Sequence, residues 1–242
     1  MKKTLKNLYI TAVIAAVIFI SAASSFAQDK KLLSFGEQNS KRYYTSFAFG
    51  MGVDYGKTSS FDTYIGYELP NYNFLNDADK LSEFRSGFTF FGTAERQVHR
   101  NFSLKADYSY FIKSNDVQLY PDYGFNVTGH RIFAGANYIF PMEYAFLKLG
   151  ACAGPEFSSV TQRFSSLETK YTSSGFGIKA EGIFDIQIGK SVAGYINGYL
   201  MQIFDSGLKD SNGNEIQNKA GGKADLSGFS AGLRIGVEIF IF

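Results

Sequence analysis

Two histidines, one cysteine and a few paired carboxylates are the side chains of this 242-residue chain best suited to chemistry. A hydrolytic site on a strand needs a Ser and a His two residues apart, with a carboxylate to orient the imidazole. His130 is followed by Arg131 and Ile132, and His99 stands beside Arg100, so neither has a Ser at that offset. No catalytic residue is expected, and the chain reads as a non-enzyme. The segment Asp210-Ser211-Asn212-Gly213-Asn214-Glu215 has the acids and amides of a calcium loop. Its Gly falls at the fourth position rather than the sixth, which defeats that reading. Asn212-Gly213 instead predicts a tight turn at the tip of a hairpin. No metal and no cofactor are expected. Cys152 has no partner for a disulfide and is expected to be an inert core residue.

These residues need elements to hold them, and composition narrows the choice. A formal net charge of +2 gives no strong field for nucleic acid. A mean hydropathy of −0.10 excludes a bundle of membrane helices. The hydrophobic fraction of 45% is ample for a core. Residues 1–27 read as a cleaved secretory signal. Lys2, Lys3 and Lys6 form the basic part, residues 8–20 the apolar part, and Ser25 and Ala27 the small cleavage residues. Residue 28 is Gln rather than a lipid-accepting Cys, and 28–41 would be a short periplasmic segment.

From residue 42 the chain keeps a period of two. Tyr43, Thr45, Phe47, Phe49, Met51, Val53 and Tyr55 alternate with Tyr44, Ser46, Ala48, Gly50, Gly52 and Asp54. Phe102, Leu104, Ala106, Tyr108, Tyr110 and Ile112 alternate with Ser103, Lys105, Asp107, Ser109, Phe111 and Lys113. Eight such runs cover 42–55, 82–96, 102–113, 127–140, 144–156, 175–188, 192–204 and 227–242, and no amphipathic helix competes with them. Three connections are short (97–101, 141–143, 189–191) and four are long (56–81, 114–126, 157–174, 205–226). The expectation is an all-β fold: an eight-stranded antiparallel up-and-down transmembrane β-barrel with short periplasmic turns and long extracellular loops. The seventh run is ambiguous in parity. Turning Val192, Gly194, Ile196, Gly198, Leu200 and Gln202 outward keeps Asn197 away from mid-membrane.

The charges share one face. Arg85, Lys105, Arg131, Lys148, Lys179 and Arg234 lie opposite the apolar stripe, as do Asp54, Glu95, Asp107, Glu181, Asp185 and Glu238. A Lys or Arg facing lipid at mid-depth costs ~2–4 kcal/mol, so this face should be the interior. Eight strands leave room only for side chains, so the charges should pair and fill the lumen. Arg131, Lys148, Lys179, Arg234, Glu181 and Glu238 are expected near its middle. Alternation itself does not say which face is inside. A soluble periplasmic barrel with the apolar stripe inward is the competing reading.

At this point the chain resembles the small outer-membrane barrels of the OmpA/OmpX type, and the OmpA-like barrels of Bacteroidota. The resemblance covers about 42–242 and rests on the run count, the loop alternation, the run Leu104-Lys105-Ala106-Asp107-Tyr108-Ser109-Tyr110 and the terminal Phe242. It implies a bacterial outer-membrane location in a Gram-negative envelope. It also implies contact with lipid and lipopolysaccharide, a monomer, and passage through the outer-membrane assembly machinery. Phe242 and Phe240 would supply the insertion signal, although the apolar stripe of the last run is one residue out of register with Phe242. Phe61, Tyr64, Tyr67, Tyr72 and Phe74 are candidates for a loop surface that binds glycan or an extracellular or envelope protein. The same aromatics could instead cap the mouth or join an interfacial girdle. The expected function is structural or loop-presenting. A narrow porin-like pore and a lipid A-modifying enzyme are the alternatives.

Overall fold

A computed structural model describes residues 43–68, 86–117, 123–164, 166–217 and 222–241. The predicted signal segment, residues 28–41, Arg85, Tyr72, Phe74 and Phe242 lie outside the described residues. The strands are β1 (Thr45–Lys57), β2 (Ser86–His99), β3 (Phe102–Val117), β4 (Tyr123–Pro141), β5 (Ala145–Phe164), β6 (Leu167–Gln187), β7 (Val192–Asp205) and β8 (Gly228–Ile241). Each pairs antiparallel with its chain neighbour, and β8 closes on β1, giving one closed barrel with no free edge. At the closing seam Met51 stands opposite Ile235 and Gly52 opposite Arg234.

The apolar stripe is on the outside. Phe47, Phe49, Met51, Leu104, Ile132, Leu149, Ile178 and Leu233 are exposed, while Asp54, Lys105, Asp107, Lys148 and Arg234 are buried. β7 takes the parity that turns Tyr195, Asn197, Tyr199 and Met201 inward and leaves Leu200 exposed. The outward apolar residues cover about a dozen positions per strand, which at ~3.3 Å rise and ~40° tilt gives a belt roughly 25–30 Å tall. With no Trp in the chain, Tyr and Phe edge this belt. Tyr43, Tyr138, Phe140 and Tyr144 lie toward the short turns, and Tyr55, Phe157, Phe204 and Phe229 toward the other end.

Three features of the sequence expectation are corrected. Most of the expected loops 114–126 and 157–174 is strand. β5 and β6 run for 20 and 21 residues against 13 for β1, and pair as far as Phe164 opposite Leu167. This raises the β3–β6 side of the wall above the belt by roughly 20 Å along the strand. Above the belt neither face must be apolar, so Ser158, Ser159, Thr161 and Gln162 show no period although the ladder continues. The third correction is a helix, α1 (Ser59–Glu68), inside the first long connection.

Candidate functional site: the filled lumen and its cap

Buried side chains occupy the lumen in layers from one end to the other. At the short-turn end Tyr44, Ile139, Phe146, Ala193 and Phe240 form an apolar floor. Phe240 therefore faces the interior, so this half of the expected insertion signal is a core residue. Tyr44 stacks on Phe146 at 5.7 Å and meets Phe240 edge-on at 5.0 Å.

Above the floor Lys148 gathers three carboxylates: Glu95 at 3.1 Å, Asp185 at 2.8 Å and Glu238 at 3.1 Å. Tyr44 Oη and Asn137 Nδ2 both donate to Glu95, at 2.9 and 3.0 Å. One cation against three acids would be costly to bury, and these donors offset part of that cost. The middle layer has the opposite bias. Lys105, Lys179 and Arg234 share Asp107 and Glu181 at 2.7–3.6 Å. Asn197 Nδ2 donates to Glu181 at 2.8 Å, and Cys152 Sγ lies 3.9 Å from the same residue. In the outer layer Arg131 bridges Asp54 at 2.7 Å and Glu156 at 2.8 Å, with its guanidinium 4.0 Å over the Phe111 ring. Tyr199 Oη, from β7 on the far side of β8, donates to Asp54.

These layers bring together every described member of the predicted charge set and revise its centre. Lys148 and Glu238 belong to the floor layer and Arg131 to the outer layer. Lys105 and Asp107 take their place in the middle with Lys179, Glu181 and Arg234. Two charges escaped the sequence reading: Glu156 and Lys113 are both buried in the outer layer. Each sits at a run end with the inward parity of its strand, and that parity was the signal available. Among the described residues the buried acids number seven and the buried bases six, so the interior is not evenly matched.

The outer end is capped. Phe61, Tyr64 and Ile65 from α1 pack with Phe111, Phe125, Val127 and Val160 of the wall and with Leu208, Ala224 and Leu226 of the β7–β8 connection. Phe61 and Tyr64, candidates for an exposed binding surface, are buried in this plug and face the barrel. Tyr67 lies in α1, but its side chain lies outside the described residues. The connection is tied to the wall by a two-way backbone pair between Thr172 and Lys209, at 2.9 Å each way. Its tip turns at Gly213, where φ is +83°. Asp210 accepts the backbone N–H groups of Asn212 and Asn214 at 2.9 and 2.8 Å. This accounts for the Asp/Asn spacing as turn chemistry.

The two histidines sit apart from the lumen. His130 is on the outer wall, Nδ1 2.8 Å from Tyr108 Oη and its ring 5.0 Å from Tyr110. His99 is at the end of β2, beside the first short turn.

No protein-family model and no curated protein matches the chain. Among solved structures it is similar to Ail, the attachment invasion locus protein of Yersinia pestis. That match has 10% identity and a TM-score of 0.49 and covers 83% of this chain and 99% of that one. It is also similar to Neisserial surface protein A, with 12% identity and a TM-score of 0.47, covering 81% and 96%. A third is the outer membrane protease OmpT from Escherichia coli, with 8% identity and a TM-score of 0.44, covering 83% and 97%. At these identities the likeness is one of strand scaffold.

Proposed function

We propose that the chain is an integral outer-membrane barrel of OmpA/OmpX-like kind with a plugged lumen. It would act without catalysis, as an envelope-structural anchor that holds a tall strand wall and a capped mouth on the cell surface. One observation carries the reading: the closed barrel has an apolar exterior and a charged interior of buried side chains. In water this arrangement would expose a continuous apolar band, whereas in a bilayer it satisfies both faces. The soluble-barrel reading needs the stripe inward and is disfavoured for that reason. Packing from the Tyr44 floor to the Phe61 cap disfavours the pore reading. The partners that follow are membrane lipid, lipopolysaccharide at the outer girdle, and the assembly machinery during insertion. The raised β5–β6 hairpin is the surface offered to an envelope or extracellular protein.

The test is fractionation with surface labelling. Mature protein should separate with the outer membrane and migrate differently on gels with and without heating. An epitope inserted at Gly213 should be labelled on intact cells. Recovery in the soluble periplasm would overturn the membrane assignment, and labelling only after permeabilisation would invert the orientation.

A further inference from the structure

We propose that the barrel binds one phospholipid of net negative headgroup, a phosphodiester of the phosphatidylglycerol type, at its short-turn rim, where Arg96 and Arg100 hold the phosphate. The inference rests on the membrane reading above and adds to it a lipid class and a place.

Arg96 breaks the rule that governs the wall. It shares its parity on β2 with Phe88, Phe90, Gly92 and Ala94, so it points to lipid and is exposed. Elsewhere among the described residues the charges of the outward face lie beyond the aromatic edge of the belt, as Lys57, Arg163, Glu168 and Lys170 do at the outer end. Arg96 lies inside that edge. Exposed Tyr43, Val98 and Phe102 stand between it and the turn, Leu104 is opposite, and Phe47 is on its mid-membrane side. A cation is tolerated at this depth when its stem runs along apolar surface and its head reaches the headgroup layer.

The guanidinium is oriented. Thr45 is its cross-strand partner, and Arg96 Nη1 donates to Thr45 Oγ1 at 2.6 Å. One hydroxyl engages one of five N–H donors, set in a fork that fits two oxygens of a phosphate. Arg100 brings the second cation. A bulge between Gln97 and His99 adds a residue to β2, and Val98 and His99 are both exposed before the turn. Gln97 Nε2 donates to the Arg100 carbonyl at 3.0 Å and Asn101 Nδ2 to the Ile139 carbonyl at 2.9 Å, which pins the turn with the Arg100 side chain outward. Four residues at ~3.3 Å each set Arg100 roughly 10–13 Å from Arg96, within the combined reach of two arginine side chains.

Charge selects the class of lipid. Among the described residues the exposed charges at this rim are Arg96, Arg100 and Lys190 against Glu143. The other acids at this end, Glu95, Asp185 and Glu238, are buried and held by Lys148. A rim of this sign attracts a phosphodiester on an otherwise neutral headgroup and repels the ammonium of phosphatidylethanolamine. The competing occupant is an acid of the chain itself, Asp29 or Glu37, both outside the described residues.

The test reconstitutes the purified protein in nanodiscs of equimolar phosphatidylglycerol and phosphatidylethanolamine, extracts it in mild detergent, and counts retained lipids by native mass spectrometry. The wild type should keep one phosphatidylglycerol, preferred roughly tenfold over phosphatidylethanolamine. The double variant Arg96→Gln, Arg100→Gln should lose that preference, and Lys190→Gln should keep it. No preference in the wild type, the result expected if Asp29 or Glu37 fills the site, would overturn the proposal. So would a preference kept by the double variant, or one lost equally in Lys190→Gln. Wild type that fails to enter the nanodiscs would overturn the membrane reading and the site together, whereas insertion without lipid preference overturns the site alone. Should the double variant fail to fold, Arg96→Gln alone carries the same comparison.

Discussion

Arg234 of β8 reaches across the lumen to Asp107 of β3, Nη1 3.0 Å from Oδ2, and Lys179 of β6 meets the same oxygen at 3.1 Å. Three strands far apart in the chain are thus fastened at one carboxylate. Three cations, Lys105, Lys179 and Arg234, compensate its charge together.

Arg234→Ala should destabilise the barrel by about 3–5 kcal/mol, because it removes the guanidinium that bonds both Asp107 oxygens and leaves a void where one of the largest fully buried side chains stood. Ile235→Leu, one residue away on the lipid side, should cost less than about 1.5 kcal/mol. Urea unfolding in lipid vesicles, followed by tyrosine fluorescence, compares the two. Equal effects would mean that the network contributes no more than surface packing does.

The cap should be a separately removable layer. Phe61 is fully buried between α1 and the wall, 5.6 Å edge-on from Phe125. Phe61→Ala should cost about 3–5 kcal/mol locally. Hydrogen exchange should then speed up in α1 and in 207–226, while the β1–β8 seam stays protected. Exchange that rises evenly through the barrel would show that cap and wall form one unit.

The hairpin tip should loosen in acid. The Asp210 carboxyl is held below its ordinary value, chiefly by the backbone N–H of Asn214 and then by that residue's side chain. A depressed value means the turn is stabilised above the unfolded-state pKa. The stabilisation is lost as pH falls below about 4 toward the folded value. Exchange at the Asn214 amide should accelerate over that window in the wild type, with no such step in Asp210→Asn.

Much of this was legible in the chain because lipid imposes a strict rule. Wherever a strand crosses the belt, its outward residues must be apolar, and the period of two survives in the letters. That rule fixed the parity of β1, β3 and β6, and it resolved β7 through the cost of turning Asn197 to lipid. It stops operating at the rim. There Ser158 to Gln162 continue a ladder whose evidence is backbone pairing alone, and Glu156 and Lys113 were lost at run ends. α1 left one trace, the spacing of Phe61, Tyr64 and Ile65 at i, i+3 and i+4 behind a Thr-Ser-Ser start. The five aromatics read either as a binding surface or as a mouth cap, in neither case on a helix, and this concealed it. The assignment of Lys148 to the floor depended on which strands face one another across the lumen, a relation set by closure and stagger of the sheet rather than by local sequence.

Conductance of the purified wild-type protein in planar bilayers tests the filled lumen most directly. The Lys148, Asp107 and Arg131 layers, closed by the Tyr44 floor and the Phe61 cap, predict no steady current at any moderate voltage. A stable, ohmic open channel in the wild type would contradict the plugged barrel and make the chain a pore.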